Sequence, residues 1–245
     1  MKFALVFPGQ GSQSVGMMAQ YGETNVIRRT FDEASHAIGR DLWTLAADGP
    51  ADALSQTVNT QPLMLTACVA VYRLWRELGG AAPAIMAGHS LGEYSALVAA
   101  GVMQLADAVT LVELRATAMQ EAVPAGEGAM AAVLGLDAEM VKLACADVMK
   151  QNSGQVVEAV NFNDPKQIVI AGHKSAVERA ADIAKERGAK RALMLPVSAP
   201  FHSSLMQPAA LRLRERLMSV TMKSPDIPII NNVDVTVLTE VVDIR

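Results

Sequence analysis

Short apolar runs and longer amphipathic stretches alternate along the first half of the chain. Phe3–Phe7 and Ala84–Ala87 are too short for helices and read as strands. Apolar positions recur at helical spacing near 25–38, 61–78, 91–100 and 105–122. Pro62 suits a first helical turn and Gly79-Gly80 a helix end. Such alternation predicts an α/β fold with a largely parallel sheet. After Pro124–Gly128 the rhythm changes. "AMAAVLGL" reads as a strand, "DAEMVKLACADVMK" as a helix, and "QVVEAVNF" and "KQIVIAGH" as strands joined by the turn-like Asn163–Pro165. "SAVERAADIAKERG" then reads as a helix and "RALMLPV" as a strand. The order βαββαβ is the ferredoxin-like pattern. It predicts a small domain, 125–196, inserted into a larger one made of 1–124 and 197–245. The chain re-enters the larger domain through "SAPFHSSLM", a helix at 205–220 and the strand "IPIINNV".

Composition narrows the classes. The 245 residues are 51% hydrophobic and 19% charged, enough apolar surface for a sizeable core. Aromatic content is low, so Ala, Leu, Val and the fourteen Met residues must fill that core. A net charge of −4 without a dense basic stripe gives no reason to hold nucleic acid. Cys68 and Cys145 are far apart, match no metal spacing and read as reduced thiols of a cytoplasmic protein. No signal peptide or membrane span is read.

Gly88-His89-Ser90-Leu91-Gly92 is G-x-S-x-G between an expected strand and an expected helix, the setting of a nucleophile elbow. It makes the large domain hydrolase-like. The flanking glycines permit a sharp turn that exposes the Ser90 hydroxyl and leaves the Leu91 N–H facing developing negative charge. Ser90 and Glu93 also have the spacing of a capping box, in which the serine merely caps a helix.

A serine nucleophile needs a base. Of the four histidines, His36 lies on an amphipathic helix, His89 adjoins the serine and His173 falls in the small domain. His202 sits on a loop C-terminal to the elbow, in hydrolase-like order, with a cap or surface histidine as the alternative. Arg115 falls on the apolar side of its helix, between Leu111 and Met119. A guanidinium there needs an anion, which is either a protein carboxylate or the carboxylate of a substrate. The glycine-rich "FPGQGSQ" fails both nucleotide motifs: Ser14 stands where G-x-G-x-x-G needs glycine, and no Gly-Lys-Ser/Thr follows. The Gln10 N–H is instead a candidate second oxyanion donor.

"FPGQGSQ", "TQPLML", "GHSLGEYSALVAAG", "LRATAMQ", "GAMAAVLGL", "VNFNDPKQIVIAG" and "PVSAPFHSSLM" resemble, in order and over nearly the whole chain, the malonyl-CoA:acyl-carrier-protein transacylases of bacterial-type fatty acid synthesis. The resemblance implies a Ser90 nucleophile, a His202 base, an oxyanion hole from the Gln10 and Leu91 N–H groups, and Arg115 on the malonyl carboxylate. It places Phe201, Gln61, Met119 and Asn161 along the substrate. It implies malonyl-CoA as donor and acyl carrier protein as partner; no bound cofactor or metal is expected, and a monomer is the default for a state the sequence does not show. Family members continue for several dozen residues past "NNVDV", so the chain reads either as truncated in its C-terminal part or as ending in an unusual terminus, "TVLTEVVDIR", with weakened or lost activity expected if this is the whole protein. The competing functions are a serine thioesterase or esterase, and a truncated acyltransferase that only binds carrier protein or coenzyme A.

Overall fold

The computed structural model describes residues 2–21 and 24–244. They form two compact units, Met1–Thr117 with Leu213–Arg245, and Ala118–Arg212. In chain order the elements are β1 (Ala4–Phe7), α1 (Asn25–Ile38), α2 (Leu42–Asp48), α3 (Ala51–Ser55), α4 (Thr57–Glu77), β2 (Ile85–Gly88), α5 (Leu91–Ala99) and α6 (Leu105–Glu121). Then come β3 (Gly128–Leu134), α7 (Ala138–Gln151), β4 (Val157–Asp164), β5 (Gln167–His173), α8 (Lys174–Glu186) and β6 (Arg191–Met194). The last are α9 (Gln207–Leu217), β7 (Ile229–Ile230), β8 (Val237–Leu238) and α10 (Val241–Ile244).

The first unit is built on the sheet β1-β2-β7-β8, parallel from β1 to β7 and antiparallel only at β8. The chain is therefore mixed α/β with a mainly parallel sheet, as expected. Phe7 pairs with Gly88, so β1 and β2 end at the same level. Met86, Leu91, Phe31, Leu63, Leu65, Leu105 and Leu111 are fully buried in one apolar cluster with them.

Helix α4 departs from expectation. It starts at Thr57, and Pro62 lies inside it rather than in its first turn. An interior proline has no N–H for the carbonyl four residues back. Here that carbonyl is Val58's, and it accepts a hydrogen bond from Arg40 Nη2 at 3.1 Å. The side chain of Arg40 satisfies the carbonyl that Pro62 cannot. Helices α2 and α3 were not expected at all. α2 rests on an Asp41 cap that accepts the Thr44 N–H at 2.9 Å.

The second unit carries the antiparallel sheet β4-β5-β3-β6, which is the ferredoxin-like order. Strand β5 shows why both its faces are covered. Ile168 and Ile170 point into one cluster with Val133, Val141, Val148 and Val177 of β3, α7 and α8. Val169 and Ala171, one residue out of phase, join another with Met119, Val123, Phe201, Met206 and Ala209. That second cluster accounts for the unit's bounds. Residues before 125 and after 196 cover the sheet's other face, so the compact unit is wider than the 125–196 segment.

Candidate active site

In the first unit, Ser90 stands between β2 and α5 with φ 51° and ψ −105°. A non-glycine residue at positive φ is strained and must be held there. Two glycines and one asparagine hold it. A Cβ on Gly88 would lie 1.9 Å from the Gly92 carbonyl carbon, and one on Gly92 would lie 2.2 Å from the Phe7 carbonyl oxygen. The elbow thus packs backbone on backbone. Asn232, just beyond β7, accepts the Ser90 N–H at 2.6 Å and donates from Nδ2 to the Gly88 carbonyl. Its own N–H goes to Glu93 Oε2 at 3.1 Å.

The capping-box alternative predicts a Ser90 side-chain cap and a Glu93 carboxylate reaching back to the Ser90 N–H. Ser90 makes no side-chain cap, and the Ser90 N–H belongs to Asn232. Burial pushes the Glu93 carboxyl above its usual range, while the hydrogen bonds from Asn232 and the charge of Arg115 pull it back. In the first turn of α5 the Gly92 N–H meets the His89 carbonyl and the Glu93 N–H the Ser90 carbonyl. The Leu91 N–H has no acceptor among the described residues.

Arg115 stands on α6, with its Nη1 donating to Gln61 Oε1 at 2.6 Å and its Nη2 to Ser90 Oγ at 3.0 Å. Its guanidinium carbon is 5.5 Å from the centre of the Tyr94 ring. Among the described residues no carboxylate lies within ion-pair distance of it. Gln61 is 2% exposed and donates from Nε2 to Thr57 Oγ1 at 2.9 Å. The Thr57 hydroxyl in turn donates to Gln10 Oε1 at 2.8 Å. The Gln10 loop runs beside the elbow, because a Cβ on Gly9 would lie 2.6 Å from the His89 carbonyl oxygen. The structure therefore brings Gln10, Gln61, Ser90 and Arg115 into one hydrogen-bonded chain.

In the second unit, His202 is exposed and has φ 68°, while Phe201 and Ser203 on either side are buried. The Ser203 hydroxyl and N–H both donate to the Pro200 carbonyl, at 2.7 and 3.3 Å. The Ser204 N–H donates to Glu158 Oε2 at 2.6 Å. Phe201 and Met119 share one apolar cluster. Asn161 lies on β4 opposite Val169, where the register with β5 shifts. Among the other histidines, His173 uses Nδ1 to accept the Val156 N–H at 2.9 Å and serves the fold. His36 is exposed on α1.

Asn232, Glu93 and Thr57 belong to the first unit's constellation without having been singled out for it. Glu93 had a signal in the S-x-x-E spacing. Asn232 had none, because it acts on a residue 142 positions away. Among the described residues no cluster of His, Cys, Asp and Glu could hold a metal ion, and no helix is long and apolar enough to cross a membrane.

A family model described as an acyl transferase domain matches residues 4–241. The malonyl CoA-acyl carrier protein transacylase of Escherichia coli K12 is 58% identical over 235 residues, which are 96% of this chain and 75% of that protein. The crystal structure of an acyl-carrier-protein S-malonyltransferase from Burkholderia pseudomallei 1710b is similar with a TM-score of 0.95 and 59% identity, covering 100% of this chain and 78% of that one. A malonyl-transacylase solved in complex with its type II polyketide acyl-carrier protein is similar with a TM-score of 0.96 and 52% identity, covering 100% of this chain and 78% of the other. With Ser90 on an elbow, an unpaired-by-carboxylate Arg115 beside it and these likenesses over its whole length, the chain belongs to the acyl transferase family, among the malonyl CoA-acyl carrier protein transacylases.

Proposed function

We propose that this chain moves the malonyl group from malonyl-CoA to the phosphopantetheine thiol of acyl carrier protein through an ester on Ser90. One observation carries the reading: Arg115, which makes no ion pair among the described residues, reaches Ser90 Oγ at 3.0 Å. In a malonyl thioester one methylene separates the carboxylate from the reacting carbonyl. A cation that binds the carboxylate must therefore lie beside the nucleophile, as Arg115 does. An acyl group without the carboxylate would leave that charge unanswered. An esterase of uncharged acyl groups would have no corresponding use for Arg115.

The steps run in a ping-pong order. Ser90 Oγ attacks the thioester carbonyl while His202 takes its proton, and the carbonyl oxygen becomes an oxyanion. The Leu91 N–H, without an acceptor in its own turn, and the Gln10 N–H of the neighbouring loop are assigned to that oxyanion. Collapse expels the coenzyme A thiolate, which takes the proton from His202. The carrier protein's thiol then gives its proton to His202 and attacks the Ser90 ester, and Ser90 leaves with that proton. Phe201, Met119 and Asn161 are assigned to the acyl group, with Phe201 limiting its bulk. Asn232 holds the elbow. No bound cofactor is needed. The same reading places the protein in the cytoplasm as a monomer, with residues 125–196 as an inserted domain.

Intact-mass measurement after mixing with malonyl-CoA tests the reading. A malonyl adduct is expected on the native chain and not on Ser90→Ala, and carrier protein should then remove it as malonyl-carrier protein. An adduct that persists in Ser90→Ala, or release of free malonate in place of transfer, would sink it.

A further inference from the structure

Arg115 donates to Gln61 Oε1, and this fixes which end of the Gln61 amide faces the cation. The amide's Nε2 must then look the other way, and there it meets Thr57 Oγ1. A hydroxyl has one proton to give. With Gln61 donating to it, Thr57 gives that proton to Gln10 Oε1. The first two directions are tied together, since reversing Gln61 would turn its NH2 toward the guanidinium, and the series ends with the Thr57 hydroxyl donating to Gln10 Oε1. Thr57 is 1% and Gln61 2% exposed, so bulk water does not substitute for either partner. Gly9 packs the start of the loop against His89, and beyond Gln10 the Gly11 N–H closes only a local bond to Gln13 Oε1, with Gly11 at φ 104°.

We propose that Thr57 is a positioning residue for malonyl transfer. Its hydroxyl ties the Gln10 side chain to the amide that Arg115 orients, and so sets where the Gln10 backbone N–H points. A carboxylate arriving at Arg115 acts on one end of a series whose other end is the oxyanion loop. This rests on the reading of the Gln10 N–H as an oxyanion donor.

The test uses the full chain, malonyl-CoA and holo-acyl carrier protein, with single-turnover malonylation of Ser90 followed by mass. Thr57→Val replaces the hydroxyl by a methyl of similar size, and Thr57→Ser keeps it. Thr57→Val is expected to slow malonylation about tenfold or more while KM for malonyl-CoA changes little, and Thr57→Ser to restore the rate. Gln10→Ala removes the side chain and keeps the N–H. Its loss should not multiply with that of Thr57→Val, because both cut the same tie. Multiplicative losses, a KM effect with unchanged kcat, or a Thr57→Ser variant as slow as Thr57→Val would overturn the proposal. Gln10→Pro deletes the N–H itself and separates the two ideas. If Gln10→Pro is slow and Thr57→Val is not, the tie fails and the oxyanion donor stands. If Gln10→Pro malonylates at the native rate, the donor reading fails and the proposal falls with it.

Discussion

Ser90 and His202 both stand at positive φ, yet the two backbones are held in opposite ways. Around Ser90 the support is distant in sequence. Asn232 reaches it from 142 residues on, and Gly92 is pressed against Phe7 of another strand. Beside His202 one bond closes locally, Ser203 on Pro200 three residues back, while Glu158 holds the Ser204 N–H and Phe201 packs in a cluster with Met119 and Val169. The difference teaches which geometry depends on the whole sheet and which a short loop can make for itself. The serine's turn is bonded and packed across the sheet, whereas beside the histidine one of the bonds closes within a single turn.

Four changes probe that contrast. Gly92→Ala should have the largest effect, since its Cβ would sit 2.2 Å from the Phe7 carbonyl oxygen. Backbone must move, and a shift of about 1 Å at a nucleophile costs about 10²-fold in rate. Single-turnover malonylation measures it, and a near-native rate would mean the elbow is not set by this packing. Asn232→Ala comes next. It removes two hydrogen bonds of the elbow, from the Ser90 N–H and to the Gly88 carbonyl, of about 1 kcal/mol each, so a loss of roughly tenfold to thirtyfold in acylation is expected. Ser203→Ala removes one neutral hydrogen bond of about 1 kcal/mol, so a loss of about fivefold is expected. If Ser203→Ala proves more damaging than Asn232→Ala, the contrast between distant and local support is wrong.

The smallest effect concerns stability. Burial raises the Glu93 carboxyl, so the folded chain holds that proton more tightly than the unfolded one. The associated stability is present at low pH and lost as pH rises through the raised value. Glu93→Gln keeps an acceptor for the Asn232 N–H and drops the buried charge. Its Tm should exceed the native one by no more than about 3 °C at pH 7, and the gap should close below about pH 4. Scanning fluorimetry across pH reads this directly. A lower Tm at pH 7 would show that the charge strengthens the Asn232 bond by more than its burial costs.

What could be read from the sequence follows the same division. The glycines around Ser90 are adjacent in the chain, so their meaning is visible in five residues. Arg115 stood out because a charge broke an apolar helical face, and both faces lie within one element. The βαββαβ order was readable because its strands are short apolar runs set off by turn residues and α8 is strongly amphipathic. Asn232 and Thr57 gave no sign, since each acquires its role from side chains that only folding brings near. Pro62 misled for the same reason. A proline is a fair marker of a helix start until a distant Arg40 supplies the donor it lacks. Helices α2 and α3 are short and were lost among the polar residues around them.

The pairing of Phe7 with Gly88 works as a ruler. Parallel strands advance about 3.3 Å per residue, so a one-residue slip between β1 and β2 would carry the Gln10 loop a full hydrogen-bond length past the serine turn. Neither loop needs to know where the other is. Both are cut to length by the strands that feed them, and a sheet that merely holds the core together also sets the gauge between the two amides proposed to share one oxygen.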